Sequence, residues 1–284
     1  FSMGYGSLWK SLPLGDDYDG KTLTIELQPG YKMQAVSGYL PSIYFGTQAS
    51  FIAMIMEKEV WVLVLTMILI LLGSYDIVNG LFVIHRKKAD QMFFLGLFSV
   101  DTGLWILIES HVLELFMSNM QIVTYLNYFT YGMMPVLLIR CLLSFEEFEN
   151  KRYLKAICLT GILVNLIQFF MAATGICSQF ESEWMNRAYL GLTVFGLLAA
   201  LISIRKVEKE QSRRKLYSGI FILIISTILE LMYFLFINKE NSGKILLVGI
   251  CLFIFKAGTD LIREGRKLRR DDLEKEILQT MAYT

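Results

Sequence analysis

Apolar residues fall along this chain in long blocks, unlike the short alternating patches of a soluble domain. From Val60 onward, stretches of about 17 to 25 mostly apolar residues recur between short polar breaks, the length a helix needs to cross roughly 30 Å of hydrocarbon. Seven such stretches are predicted, at 60–84, 91–110, 122–145, 154–175, 188–204, 216–237 and 245–262. As the core of a water-soluble protein, seven in succession would leave too few polar residues to clad them.

The first segment has another pattern. Residues 1–58 hold Pro13, Pro29 and Pro41, three of the four prolines. Apolar and polar positions alternate through Leu23-Thr24-Ile25-Glu26-Leu27, which predicts a strand. Pro29-Gly30 supplies a turn, and a second short apolar run, Ile43-Tyr44-Phe45, stops at Gly46. Two or three strands cannot enclose a core of their own. The segment is therefore expected to be the C-terminal part of a β-sandwich that begins upstream. Phe1 is not preceded by a basic leader region, which fits an excised piece. From Thr47 the period becomes helical, with Phe51, Ile52, Ile55 and Met56 on one face of an amphipathic lead-in to the membrane.

Composition agrees with the blocks. Hydrophobic residues make up 55% of the 284 and charged residues 19%, below the roughly 25% of soluble chains. The net charge of +1 implies no nucleic-acid partner. The charge is strongly sorted all the same. Loops after the first, third, fifth and seventh stretches carry Arg86, Lys87 and Lys88; Lys151, Arg152 and Lys155; Arg205, Lys206, Lys209, Arg213, Arg214 and Lys215; and Arg263, Arg266, Lys267, Arg269 and Arg270. The opposite loops offer Arg187, Lys239 and Lys244. Cytoplasmic loops retain the positive charge, so the N-terminus is expected outside and the C-terminus in the cytoplasm. Trp61, Tyr125 and Trp184 then fall near the outer interface.

No Walker loop, HExxH, CxxC or GxSxG occurs, and His85 and His111 belong to opposite membrane faces, so no catalytic, cofactor-binding or metal site is expected within the segment. Cys141, Cys158 and Cys251 read as small hydrophobes, and Cys177 lies in an outer loop. Ionisable groups within the spans carry more information, because each costs about 2.5 to 3.5 kcal/mol at the bilayer centre and so faces the bundle interior. They are Asp76, Asp101, Arg140, Glu230, Lys256 and Asp260, a candidate intramembrane polar network in which Asp76 and Arg140 are expected to pair. A relay with two alternative pairings and a static interhelical glue are both compatible with the set. Ion transport by a channel or transporter is a third reading, although neither an inverted repeat nor unwound Gly/Pro pairs support it.

Beyond the seventh stretch, residues 263–284 are charged yet keep Leu268, Leu273, Ile277 and Met281; Leu261 and Leu268 are seven apart, and Leu273, Ile277 and Met281 are four apart, spacings that suit a helix continuing out of the membrane. Such a stalk would pair weakly with a second copy, or lie as a solvated helix.

The string Asp271-Asp272-Leu273-Glu274-Lys275-Glu276-Ile277-Leu278-Gln279-Thr280-Met281-Ala282-Tyr283-Thr284 resembles the helix that leads into a GGDEF diguanylate cyclase domain. With the outer β segment, seven helices and stalk, the whole resembles bacterial seven-transmembrane receptors with diverse intracellular signalling modules. Pro41-Ser42-Ile43-Tyr44-Phe45-Gly46 looks like the end of the jelly-roll sensor of that family. The resemblance implies a mainly α protein with three parts. Residues 1–58 would close an extracytoplasmic sensor, 59–262 form a seven-transmembrane bundle, and 263–284 lead to a cytoplasmic output domain. GTP and Mg²⁺ would be held only in that output domain, the signal would be an unidentified extracytoplasmic ligand, and the partners would be the lipid bilayer and a second copy bound through the stalk. A histidine kinase could follow the same stalk.

Overall fold

The computed structural model describes residues 45–82, 86–110, 112–115, 117, 120–145, 148, 151–177, 182–205, 219–226, 228–229, 232, 247–260 and 263. The predicted strand at 23–27, nearly all of the run at 43–45, Glu230 and the stalk positions Leu261, Leu268, Leu273, Ile277 and Met281 lie outside these residues. Among the described residues the protein is helical, without strands. Five long helices are α1 (Gln48–Phe82), α2 (Arg86–Glu109), α3 (Met120–Leu143), α4 (Arg152–Ala173) and α5 (Glu183–Arg205). Further helical stretches at 219–226 (α6) and 247–260 (α7) overlap the last two predicted blocks.

Among the described residues four helices, lying within α1 to α4, are long and apolar enough to cross a membrane. Much apolar surface of α1 and α4 lies outside. Only 28% of the most apolar window of α1 and 22% of that of α4 is buried. Leu71 and Leu81 on α1 and Leu166 and Phe170 on α4 are exposed, while Thr66, Ser99, Thr102, Gln168 and Asn186 are inside. A water-soluble monomer rarely exposes apolar surface on this scale; hydrocarbon covers it at no cost, and this marks a membrane protein.

Thr47 starts α1, its Oγ1 accepting from the Ser50 backbone N–H at 3.2 Å. The helix then runs for 35 residues. The boundary expected at 58/59 thus falls inside one continuous element. Met56-Glu57-Lys58-Glu59 contains no breaker, and all four residues are good helix formers, so lead-in and first span are one rod.

Glycines set the tightest contact. A Cβ on Gly73 of α1 would stand 2.7 Å from the carbonyl oxygen of Gly96, and one on Gly96 of α2 only 2.6 Å from that of Gly73. Gly80 faces Phe93 and Ala89, and Gly103 faces Ile70 and Thr66. Ser99 Oγ donates to the Leu69 carbonyl across this seam at 2.8 Å. Small residues let two membrane helices approach backbone to backbone, where dispersion and a hydroxyl hydrogen bond replace the hydrophobic effect that lipid cannot provide.

The remaining helices build on this pair. Trp105 and Tyr131 bring α2 against α3 with ring centroids 6.1 Å apart. Phe98 meets Phe253 edge to face at 6.1 Å, seating α7 on α2. Gly249 of α7 packs on Ser226 of α6. Helix α4 ends in a turn at Gly175, whose φ of 71° is open to glycine at little cost. The N–H groups of Gly175 and Ile176 close that end on the carbonyls of Ala172 and Met171, reversing the chain toward α5.

Candidate functional site

The predicted ionisable set is only partly brought together. The α1–α2 register, Gly73 opposite Gly96 and Gly80 opposite Phe93, places Asp76 at the level of Phe93 and Phe94. Asp76 is 6% exposed and faces bare α7 backbone, its Oδ2 lying 3.8 Å from where a Cβ on Gly258 would stand. Lys256 and Asp260 flank that glycine and are half-buried. Arg140 reaches the same level from α3, but it is exposed and its guanidinium carbon lies 4.7 Å from the ring centroid of Phe94. The expected pairing of Asp76 with Arg140 is absent: among the described residues neither makes an ion pair. Asp101 stands apart, more than a turn along α2 from Phe94, with Oδ2 buried and lacking a hydrogen-bond partner. Thr66 Oγ1 and Thr102 Oγ1 are likewise buried and unpartnered.

A second polar assembly, built from uncharged side chains outside the ionisable set, lies on α3, α4 and α5. Gln168 of α4 donates from Nε2 to the carbonyl of Ser182, just ahead of α5, at 2.7 Å. One turn away, Asn165 Nδ2 donates to the carbonyls of Gly132 on α3, at 3.0 Å, and of Gly161 on its own helix, at 2.9 Å. Gly132 provides the space for this, since a Cβ there would collide with the Asn165 amide. Deeper still, Gly161 lies against the phenol of Tyr189, which a Cβ would strike.

Gln168 with Ser182 and Gly161 with Tyr189 fix an antiparallel register that brings Asn186 opposite Asn165. Asn186 is 3% exposed, and neither its Oδ1 nor its Nδ2 has a partner. Tyr125, Tyr128 and Phe129 of α3 and Asn165, Gln168 and Phe169 of α4, with Ser182, line a shallow, open recess of about 20 Å³, room for about one water molecule. Tyr125, Phe129 and Phe169 are exposed at its rim.

The recess has four aromatic rings, two primary amides and no charged side chain. Attention to ionisable residues alone passes over it. The signal in the sequence is Asn165 and Gln168 three apart in an otherwise apolar block, with a further amide, Asn186, just ahead of the next. All four cysteines are free, with Cys141 and Cys158 buried. Among the described residues no group of acidic, His or Cys side chains could hold a metal ion. Compared with known proteins, the chain matches no family model, no curated protein and no solved structure.

Proposed function

We propose that the chain is a sensory and transmission module of a bacterial cytoplasmic membrane. It crosses seven times with its N-terminus outside, and it conveys an extracytoplasmic signal to a cytoplasmic output domain. That output is a diguanylate cyclase making cyclic di-GMP from GTP, with GTP and Mg²⁺ bound wholly outside residues 1–284.

The observation that carries this reading is the seating of α7. Phe253 packs on Phe98 of α2, and Gly258 lies against Asp76 of α1. Any shift of α1 against α2 is therefore felt by the helix that leads into the basic segment from Arg263, whose continuation resembles a cyclase lead-in. Packed interfaces of this kind are bistable and do not deform continuously, so a small displacement becomes a discrete change at the helix end. A cyclase that must bring two GTP-loaded domains face to face is suited to such an input.

The test is cyclic di-GMP measured in cells expressing the full-length parent and its Gly258→Leu variant. A side chain at 258 would press on Asp76 and displace α7. The parent should raise cyclic di-GMP, and the variant should change its level severalfold in either direction at equal expression. A parent that leaves cyclic di-GMP unaltered defeats the cyclase assignment, and a variant identical to the parent defeats transmission through α7.

A further inference from the structure

We infer that the corner where the end of α3 meets the start of α4 binds the phosphate of an anionic phospholipid, with Arg140 as the anchor and Lys151, Arg152 and Lys155 as a basic rim. The inference goes beyond the signalling proposal and holds whichever side of the membrane this end of the bundle faces.

Arg140 sets the requirement. It lies in the last turn of α3 and is exposed, so its side chain faces lipid and not the bundle interior. A guanidinium is always charged and presents its N–H donors as a planar fork. The Phe94 ring, 4.7 Å from the guanidinium carbon, attracts the charge and leaves the fork unanswered. Among the described residues no carboxylate pairs with Arg140, Asp76 included. A cation at the edge of the hydrocarbon is costly to leave alone, and a long basic side chain reaches from there to the headgroups. A lipid phosphate matches the fork with two parallel hydrogen bonds.

The packing of α3 on α4 brings further cations to the same corner. Gly132 lies against Asn165 and Gly161 against Val136, an antiparallel register that carries on to Arg140 opposite Ile157 and Cys158. Lys155 follows within a turn and is exposed, with Arg152 exposed and Lys151 half-buried just beyond. No acid stands in the first turn of α4. The start of that helix is held in place, because Phe148 is fully buried and its carbonyl accepts from the Lys151 N–H at 2.9 Å. On the hydrocarbon side of the corner the surface is apolar, with Phe129 of α3 and Ile162 and Leu166 of α4 exposed. A phosphate at the basic end and acyl chains along those side chains is the lie of a phospholipid, and basic clusters at the ends of membrane helices favour headgroups of net negative charge.

The test is native mass spectrometry of the chain released from nanodiscs holding equal amounts of phosphatidylglycerol and phosphatidylcholine with the same acyl chains. Phosphatidylglycerol should be retained about fivefold or more over phosphatidylcholine. The preference should vanish in the double variant Arg140→Gln with Lys155→Gln. Lys155→Gln alone, at an exposed position where the fold is safe, should lower it, and Lys58→Gln near the opposite end of the bundle should leave it unchanged. Equal retention of the two lipids, the result if Glu146, Glu147 and Glu149 neutralise the rim, would overturn the proposal. A preference that survives the double variant would overturn it too, since the lipid would then sit elsewhere. Displacement of phosphatidylglycerol by inorganic phosphate would reassign the corner to a free anion and end the lipid assignment. None of these measurements reads cyclic di-GMP, so this proposal and the cyclase assignment fail separately.

Discussion

The guanidinium of Arg140 lies over the ring of Phe94, 4.7 Å from its centroid, and not against the carboxylate of Asp76 at the same level of the bundle. A cation over an aromatic face gains about 0.5 to 2 kcal/mol, more as water is removed. This contact orients α2 and α3 without neutralising the charge. A double-mutant cycle on the unfolding of the chain in mild detergent should therefore couple Phe94→Leu to Arg140→Gln by about that amount. The cycle of Asp76→Asn with Arg140→Gln should give a smaller coupling. If the larger coupling belonged to Asp76, the ring would be a bystander.

The glycine seam predicts a sharp contrast between substitutions that look alike. In Gly96→Ala the new methyl would meet the Gly73 carbonyl at 2.6 Å and Ile77 Cγ1 at 2.7 Å, so α1 and α2 must separate. A loss of about 1 to 3 kcal/mol is expected. Gly191→Ala on α5 meets nothing within 4 Å and gains the helix propensity of alanine, so it should be neutral or stabilising by up to about 1 kcal/mol. Thermal unfolding of the two variants side by side checks the pair; equal losses would show that backbone proximity is not what holds the seam.

Block length made the helices legible, because hydrocarbon thickness constrains it directly. The apolar run alone places the fifth stretch from 188, because Glu183, Asn186 and Arg187 interrupt it; the structure begins α5 at Glu183, with Asn186 turned inward. The partner of Arg140 was not legible for a different reason. Position along a helix gives depth, but pairing also needs the azimuth, which is set by how the glycines of α1 and α2 interlock. Charge drew attention to Asp76 and Arg140, while the uncharged amides of Asn165 and Asn186 carry equal structural consequence with a weaker sequence signal.

The sorting of basic residues predicts sidedness. In a Cys177→Ser background, which removes a free thiol between α4 and α5, a cysteine replacing Ser212 should be shielded from impermeant thiol reagents in intact cells. One replacing Ser242 should label. The reverse pattern would invert the bundle and put the recess lined by Gln168 and Ser182 on the cytoplasmic side.

On the proposed mechanism, α7 passes its state to residues 263–284 as helical phase, so the angle at which the segment leaves the membrane should govern output. An α-helix turns about 100° per residue. One alanine inserted between Arg270 and Asp271 rotates everything beyond it by about that angle, whereas seven return it to within about 20° of the original phase and only lengthen it. Cyclic di-GMP measured in the full-length parent should shift strongly, up or down, for some of the insertions of one, three and four residues. It should return close to normal, still responsive to signal, for seven. Length alone cannot produce that order, because the longest insertion would then be the most disruptive. If output were indifferent to all four, the segment would be a passive tether, and the seating of Phe253 on Phe98 would be packing without a signal to carry.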